Sequence, residues 1–224
     1  MIFLVSKYGT HTRELLLILA DEGIEYKYFD NIIDLEKALN IEPDPDYIIF
    51  FHWSAKIPKR IYKTYECITV HTSNLPAGRG GTPLQNQILE GVLRTKVNLI
   101  ETSDPVDSGG VYLQAPITLQ GNLTDIWSTI AQTTAELIIK LLCDNPKPNP
   151  QTSLMDAYSR VTSNEIDKET DDIDYLYDQI RMVDMEGYPS AYINSNNLEI
   201  ELSRAKLLED GSLLCDAKIR ISRD

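Results

Sequence analysis

Short apolar runs alternate with amphipathic helical patterns from residue 2 to residue 142, and this alternation restricts the fold more than any other feature of the chain. The predicted strands are Ile2–Ser6, Tyr26–Phe29, Asp46–Phe51, Cys67–Val70, Lys96–Thr102 and Val111–Leu119, and the predicted helices are Thr10–Glu22, Asp34–Asn40, Pro58–Tyr65, Thr82–Glu90 and Asn122–Leu142. Strands that alternate with helices usually form a parallel sheet covered on both faces. We therefore predict an α/β fold with a Rossmann-like, mostly parallel sheet.

The composition changes after this region. The stretch "DNPKPNPQ" is rich in proline and "SNEIDKETDDID" is polar and acidic, as expected of an extended connector. A helical pattern at Ile173–Val183 follows, and then strand-like runs on both sides of the turn Glu209–Gly211. The prediction is a main domain over 1–143, a linker over 144–172 and a small α+β or all-β subdomain over 173–224.

The charge is strongly acidic overall and locally basic. The formal net charge is −13, from 34 acidic and 21 basic residues, which argues against a nucleic-acid partner. Residues 52 to 100 nevertheless hold seven Lys or Arg and two Glu, so this segment carries +5 and the remainder −18. We interpret it as a basic region for a small anionic substrate, with solvated helix-surface charges as the alternative for Lys59, Arg60 and Lys63.

Cysteine usage and hydropathy predict a cytoplasmic protein. The three cysteines are widely spaced and include no C-x-x-C pair, which suits a reducing compartment and argues against a zinc or other metal site. No apolar run approaches the roughly 18 residues of a membrane span, and no basic segment precedes the apolar start of the chain. We therefore expect neither a membrane-spanning nor a secreted protein.

Chemistry is expected at the carboxyl ends of the strands, where open parallel sheets collect ligands. The stretch "TVHTSNLPAGRGGTPLQNQILEG", residues 69 to 91, places His71 directly after an apolar strand, and "SDPVDSGG" places Asp107 after the next one. A carboxylate beside an imidazole orients the ring and stabilises its protonated form. By contrast, the turn after the first strand has one glycine where a dinucleotide loop has three, so dinucleotide binding is not expected and His11 is predicted to lie on the surface.

The chain resembles the 10-formyltetrahydrofolate-dependent formyltransferases. "HTSNLPAGRGGTPLQNQILEG" is similar to the H-P-S-L-L-P…R-G…A-I-x-x-G signature of that family, and "DPVDSGGVYLQ" is similar to its D-x-G-G/P-I-L-x-Q signature. The order and spacing agree from about Asp46 to Leu142. The C-terminal stretch "YDQIRMVDMEGYPSAYI" resembles a segment found in methionyl-tRNA formyltransferases and in some sugar-modifying relatives. The implied architecture is a formyltransferase catalytic domain with a small C-terminal appendage.

The resemblance implies three catalytic positions. The family's Asn-x-His followed by a downstream Asp maps onto Thr69, His71 and Asp107, so threonine stands where the family has asparagine. That amide donates to the oxyanion of the tetrahedral intermediate, and loss of one such donor costs about 10²–10³ in rate. Three alternatives follow: Thr69 substitutes through its hydroxyl, Asn74 or Asn98 supplies the amide, or formyl transfer is lost; for Asn74 we favour a turn-forming role.

The resemblance also implies the ligand sites. The folate donor, 10-formyltetrahydrofolate, is expected between two loops that contain Trp53, Ser54, Lys56 and Ile57 in the first, and Thr102, Ser103, Asp104 and Val106 in the second. For Trp53, simple core cover is the alternative. The acceptor is expected at the glycine-rich turn, where Gly78, Arg79 and Gly80, together with Asn74, would hold an anionic group.

The resemblance predicts an N-formyltransferase that acts on a small, nucleotide-linked amino sugar for surface polysaccharide biosynthesis. The expected partners are this small-molecule substrate, without nucleic acid or membrane; a homodimer is left open. Methionyl-tRNA is the alternative substrate, disfavoured here by the acidic charge and by a C-terminal part too short and too negative for a typical tRNA-binding domain. A catalytically inactive relative that binds only nucleotide-sugar or folate is the third alternative, suggested by Thr69.

Overall fold

The structure is a computed structural model that describes residues 1–41, 44–152 and 157–221. Its larger sheet has six strands in the order β2-β1-β3-β4-β5-β6. The strands and the helices between them are β1 (Ile2–Val5), α1 (Thr10–Asp21), β2 (Tyr26–Phe29), α2 (Ile32–Ile41), β3 (Tyr47–Phe50), α3 (Lys59–Tyr62), β4 (Cys67–Thr72), α4 (Pro83–Leu89), β5 (Arg94–Glu101), β6 (Val111–Thr118) and α5 (Leu123–Asp144).

The first four strands are parallel, and every residue of β1 and β3 is buried. Continuous apolar strands of this kind are typical of a sheet covered on both faces, so the predicted fold class is confirmed. The strand order reverses direction between β1 and β3, which makes the space beyond their carboxyl ends the topological switch point of the sheet.

Two details near the site differ from the sequence prediction. Strand β4 continues to Thr72, because Thr72 still pairs with Val97 of β5, so His71 lies inside the strand and not after it. Strand β5 runs antiparallel to β4, and its last residue, Glu101, lies beside Ile68. The end of β5 is therefore at the opposite edge of the sheet from the end of β4.

The chain divides into two compact units. The first contains Met1–Gly80, Thr95–Ile117 and Ser128–Ala157, and the second contains Gly81–Arg94, Thr118–Trp127 and the chain from Tyr158 onward. The predicted division into consecutive domains at residues 143 and 172 stays a prediction. Within the second unit, the segment after Tyr158 is bonded to the start of α4: the backbone N–H of Gly81 donates to the carbonyl of Tyr158, and that of Val161 donates to Thr82 Oγ1.

The second unit also contains α6 (Ile173–Arg181) and a three-stranded antiparallel sheet of β7 (Ala191–Ser195), β8 (Leu198–Leu207) and β9 (Leu213–Ile221). The Asp172 carboxylate caps α6 by accepting from the backbone N–H groups of Asp174 and Tyr175. Arg181 is buried, and its guanidinium donates to the carbonyls of Leu119 and Gly121. The predicted C-terminal α+β element is confirmed.

None of the described helices has the combination of length and apolar character that crossing a bilayer requires. The described residues also contain no group of three or more His, Cys, Asp or Glu side chains that could hold a metal ion.

Candidate active site

His71 is held between two hydrogen-bond acceptors in the interior of the first unit. The residue is 6% exposed, its Nε2 lies 2.9 Å from the carbonyl oxygen of Gly78, and its Nδ1 lies 3.5 Å from Asp107 Oδ2. A carbonyl oxygen only accepts hydrogen bonds, so Nε2 carries a hydrogen and Nδ1 is the nitrogen that faces the carboxylate. A hydrogen on Nδ1 would therefore point at the Asp107 carboxylate.

Asp107 reaches His71 because the loop that joins β5 to β6 is closed, with its last residues in contact with the end of β5. The backbone N–H of Glu101 donates to the carbonyl of Gly110, and a Cβ on Gly109 would lie 1.9 Å from the carbonyl oxygen of Glu101, so only glycine fits there. Asp107 lies on this loop with a φ of 58°, a value that non-glycine residues seldom adopt. The prediction that His71 and Asp107 meet is thus supported by geometry, although the reasoning from a common sheet edge was wrong.

The glycine-rich turn contacts the same pair with backbone atoms. Gly78 supplies the carbonyl that His71 Nε2 contacts, and the backbone N–H of Gly80 donates to Asp107 Oδ2 at 3.1 Å. The turn after β4 and the loop after β5 therefore hold one another through the two predicted catalytic side chains. The roles of Gly78 and Gly80 in substrate binding stay predictions.

Arg79 is placed differently from the prediction. It is 5% exposed, and its Nε and Nη2 donate to Gln151 Oε1 at 3.0 Å and 2.5 Å. The guanidinium is thus engaged inside the protein and is not directed at an anionic acceptor in solvent. No sequence pattern indicates this contact, because the partner is 72 residues away in the segment predicted to be a connector.

Gln151 is the residue that the sequence reasoning missed. While its Oε1 accepts from Arg79, its Nε2 donates to the carbonyl oxygens of Asp107 and Gly109 at 2.9 Å and 2.7 Å. The chain beside it is anchored by paired backbone hydrogen bonds between Val111 and Asn149. One amide side chain therefore connects the glycine-rich turn to the loop that carries Asp107.

Thr69 lies two residues before His71 on β4, so both side chains project from the same face of the sheet. Its hydroxyl lies 2.9 Å from the hydroxyl of Thr102. Two paired hydroxyls share one hydrogen between them, which leaves the other hydrogen available for a ligand oxygen. The predicted catalytic role of Thr69 is compatible with this geometry and stays a prediction.

The two asparagines that could have replaced the family amide are differently placed. Asn98 is fully buried, and its Nδ2 donates to the carbonyls of His71, Ser73 and Lys96. Its amide hydrogens are therefore used to hold the backbone of β4 and the turn beyond it. Asn74 is exposed and its carbonyl accepts from Ala77 N–H, as a turn residue does.

The predicted folate residues lie on two loops of the first unit. After β3, Trp53 and Ile57 pack against the buried cluster around Phe50, whereas Ser54 and Lys56 are exposed. After β5, Thr102 bonds Thr69, Ser103 Oγ contacts Ser108 Oγ at 3.1 Å, Asp104 is exposed and Val106 is 64% exposed. The contact of Trp53 with Phe50, at 6.2 Å between ring centroids, agrees with the alternative of core cover. The folate assignment stays a prediction.

Two further histidines, His11 and His52, form a pair at the topological switch point. His11 Nε2 and His52 Nδ1 are 2.8 Å apart, on the segments that follow β1 and β3. Burial lowers the pKa of His11 to about 4, against an opposing effect of Glu14. Burial, then the neighbouring His11 and Lys7, lower the pKa of His52 to about 3. The prediction of a surface His11 was wrong, since the residue is 6% exposed; its partner follows a different strand and is not adjacent in sequence.

Comparison with known proteins finds relatives in both sequence and structure. The model for the family "Methionyl-tRNA formyltransferase, C-terminal domain" matches residues 161–221. The methionyl-tRNA formyltransferase of Rickettsia prowazekii (strain Madrid E) is 30% identical over 188 residues, which are 79% of this chain and 59% of that protein. The structure of methionyl-tRNA formyltransferase from Clostridium thermocellum superposes with a TM-score of 0.89 at 29% identity, covering 99% of this chain and all of that one.

The chain is similar to methionyl-tRNA formyltransferases in both sequence and fold. This confirms the resemblance on which the site residues were assigned, and it adds the region after the main sheet, which the C-terminal model matches. The chain spans about three fifths of the length of the curated relatives it matches, 59% of the first and 62% of the second.

Two predictions made from the sequence are overturned by these matches. The amino-sugar acceptor is one of them: a sugar N-formyltransferase from a Shewanella species superposes with a TM-score of only 0.63 at 13% identity, well below the methionyl-tRNA formyltransferase match. The exclusion of a nucleic-acid partner is the other, because the relatives are named for a tRNA substrate. The net charge misled us since it sums the whole chain, whereas a polyanion responds to the local charge at its binding surface.

Proposed function

We propose that this protein transfers a formyl group from 10-formyltetrahydrofolate to the amino group of methionyl-tRNA. The observation that carries the proposal is a buried His71–Asp107 pair in a chain that superposes over 99% of its length on a methionyl-tRNA formyltransferase. An aminoacylated tRNA as substrate also implies a cytoplasmic enzyme.

In this proposal the amine of the methionyl group attacks the formyl carbon, and the carbonyl oxygen becomes negative in the tetrahedral intermediate. An imidazolium at His71 stabilises that charge and carries a proton between the amine and the leaving nitrogen of the donor. Asp107 stabilises the charged ring and fixes its orientation through the Nδ1 contact. With Thr102 as the donor in the contact between the two hydroxyls, Thr69 offers its own hydroxyl hydrogen to the oxyanion.

The electrostatics of the first unit supply cations for a polyanion. Lys7 follows β1, Lys56 follows β3 and Lys59 begins α3, and all three are exposed. Lys7 and Lys56 lie beyond the carboxyl ends of parallel strands, where the sheet presents its ligand site. We assign them to the phosphates of the tRNA acceptor end.

The assay compares methionyl-tRNA with uncharged tRNA and with nucleotide-linked amino sugars, each with 10-formyltetrahydrofolate as donor. Formylation of methionyl-tRNA alone is expected. Turnover of an amino sugar in preference to methionyl-tRNA would overturn the substrate assignment.

The tRNA contact has a matched test. Lys56→Ala should raise KM for methionyl-tRNA several-fold, with a shallower dependence on salt, because one phosphate contact is lost. Lys140→Ala removes the same charge from an exposed position of α5 and should leave KM unchanged. Equal effects of the two substitutions would show that only net charge matters.

A catalytically inactive folate-binding relative is the second candidate, favoured by the single observation that threonine replaces the family asparagine at position 69. It predicts folate binding without turnover of any acceptor. Recovery of activity in Thr69→Asn from an inactive parent would establish it.

A further inference from the structure

Strand β9 forms an outer edge of the small sheet in the part of the chain that the structure describes. Eight of its nine residues, all but Cys215, pair with β8 on one side, and the sheet order β7-β8-β9 places no described strand on the other. An edge strand of this length presents a row of backbone N–H and C=O groups that another strand can use. Most proteins protect such an edge with charges that repel a second strand.

The side chains of β9 divide into an apolar and a charged row. One face carries Leu213, Cys215, Ala217, Ile219 and Ile221, and the other carries Leu214, Asp216, Lys218 and Arg220. Ile219 is 62% and Ile221 74% exposed, so the apolar row is open at its C-terminal end. The charges are of both signs and lie two residues apart on either side of Ala217.

We propose that β9 pairs antiparallel with β9 of a second copy of this chain, around a two-fold axis at Ala217. The two small sheets then join into one continuous sheet. Apolar residues face apolar residues in this register, Leu213 opposite Ile221 and Cys215 opposite Ile219. On the other face, Asp216 lies opposite Lys218 of the second copy, twice by symmetry.

The charges select this register over its neighbours. Centring the pairing on Asp216 or on Lys218 would place two identical charges directly opposite each other. Pairing odd with even positions would put the apolar row of one copy against the charged row of the other. Only the axis at Ala217 pairs all nine residues and leaves no like charges opposed.

The ion pairs within the sheet leave these charges accessible. Asp216 contacts Arg204, and the Glu201 carboxylate lies 2.7 Å from Arg220 and 3.7 Å from Lys218. The side chains of Asp216 and Lys218 are nevertheless 53% and 68% exposed. Each can therefore meet an opposite charge from a second copy without leaving its own sheet.

A charge-reversal mixing experiment tests the pairing by sedimentation velocity. Asp216→Lys opposes lysine with lysine, and Lys218→Asp opposes aspartate with aspartate, so each variant alone should dissociate at least about tenfold more readily than the parent. An equimolar mixture restores both opposite-charge pairs and should form the heterodimer. Arg204→Ala, which removes only the contact of Asp216 inside its own chain, should dimerise like the parent. Circular dichroism confirms that each variant is folded.

A cysteine experiment tests the axis in a Cys143→Ser/Cys215→Ser background, which removes the exposed and the partly exposed native thiols. Ala217→Cys places two thiols opposite each other and should give a disulfide-linked dimer on mild oxidation, because directly paired residues lie within disulfide reach. Lys218→Cys, one position further, should not.

Three outcomes would overturn the proposal: a parent that stays monomeric up to several hundred micromolar, a mixture of the two charge variants that stays monomeric, or a Lys218→Cys dimer as abundant as the Ala217→Cys dimer. Formyl transfer does not enter any of these measurements, so the inference stands or falls separately from the proposed function.

Discussion

The His71–Asp107 pair and the His11–His52 pair of the first unit both lie at or near the ends of strands of the same sheet, yet the partners of their imidazoles differ. His71 has a carbonyl oxygen at one ring nitrogen and a carboxylate at the other. His11 and His52 face each other at 2.8 Å, so one must donate and the other accept, and burial lowers the pKa of each. His71 thus has a carboxylate as its partner, whereas His11 and His52 have each other and both have lowered pKa values.

This difference shows that burial alone does not mark a catalytic histidine. Burial is the largest cause of the lowered pKa of both His11 and His52. For His52, the neighbouring His11 and then Lys7 lower the pKa further. The partner of His71 is instead a carboxylate on a loop of strained backbone, which the structure stabilises with several hydrogen bonds.

The largest expected effect on turnover is at the His71–Asp107 pair. His71→Ala should lower kcat for methionyl-tRNA by about 10³, in the range typical for a lost proton-transferring group. Asp107→Asn, which keeps the shape and removes the charge, should lower kcat by a similar factor. Both are measured at saturating donor, with circular dichroism as the control for folding. If either variant keeps near-parent turnover, the contrast between the two pairs has no catalytic meaning.

A smaller effect is expected at Gln151, which positions Asp107 without reaching the reacting atoms. Gln151→Ala should lower kcat by roughly ten- to a hundredfold with little change in KM, because misplacing a catalytic group costs this much. Gln151→Glu can still accept from Arg79 but cannot donate to the carbonyls of Asp107 and Gly109, so it should be equally impaired.

The Arg79→Ala variant tests whether Arg79 acts only through its contact with Gln151. If Arg79 acts through Gln151, the double variant with Gln151→Ala should be no worse than the more damaged single variant. Additive losses would mean that Arg79 has a role of its own, such as the anion contact predicted from the sequence.

A smaller effect on turnover is expected at Thr69, whose hydroxyl is the third predicted catalytic group beside His71 and Asp107. Thr69→Val keeps the shape and removes the hydroxyl, so kcat should fall roughly tenfold with KM nearly unchanged if the hydroxyl stabilises only the transition state. Thr102→Val is the matched control, since it breaks the same hydroxyl contact and leaves Thr69 intact. An equal loss in both variants would assign the effect to packing.

How much of this was predictable from the sequence depends on the range of each interaction. The strands and the long α5 helix follow from local periodicity, whereas the pairing of His71 with Asp107 was predicted correctly only through the resemblance to the formyltransferase motifs. The antiparallel β5 did not, because the preference of an apolar strand for one direction is not encoded in its own residues. The contacts of Arg79 with Gln151 and of His11 with His52 depend on which distant segments meet, and neither side of these pairs carries a pattern that names the other.

The smallest effect on turnover is expected at the His11–His52 pair, where the pH dependence of stability is the informative measurement. Unfolded imidazoles take up protons below about pH 6.5, whereas the folded pair stays neutral down to about pH 4 for His11 and about pH 3 for His52. Between these limits the unfolded chain binds more protons, so the free energy of unfolding falls as the pH falls, by about 1.4 kcal/mol per pH unit for each proton. His52→Asn removes one of the two protons and keeps a side chain that tolerates the φ of 46°. Urea unfolding between pH 6 and pH 5 measures how steeply the free energy of unfolding depends on pH. This dependence should correspond to about two protons in the parent and to about one in the variant. Turnover at pH 7.5 should change no more than about twofold. An unchanged slope would show that this pair is charged in the folded protein, and the contrast with His71 would then be lost.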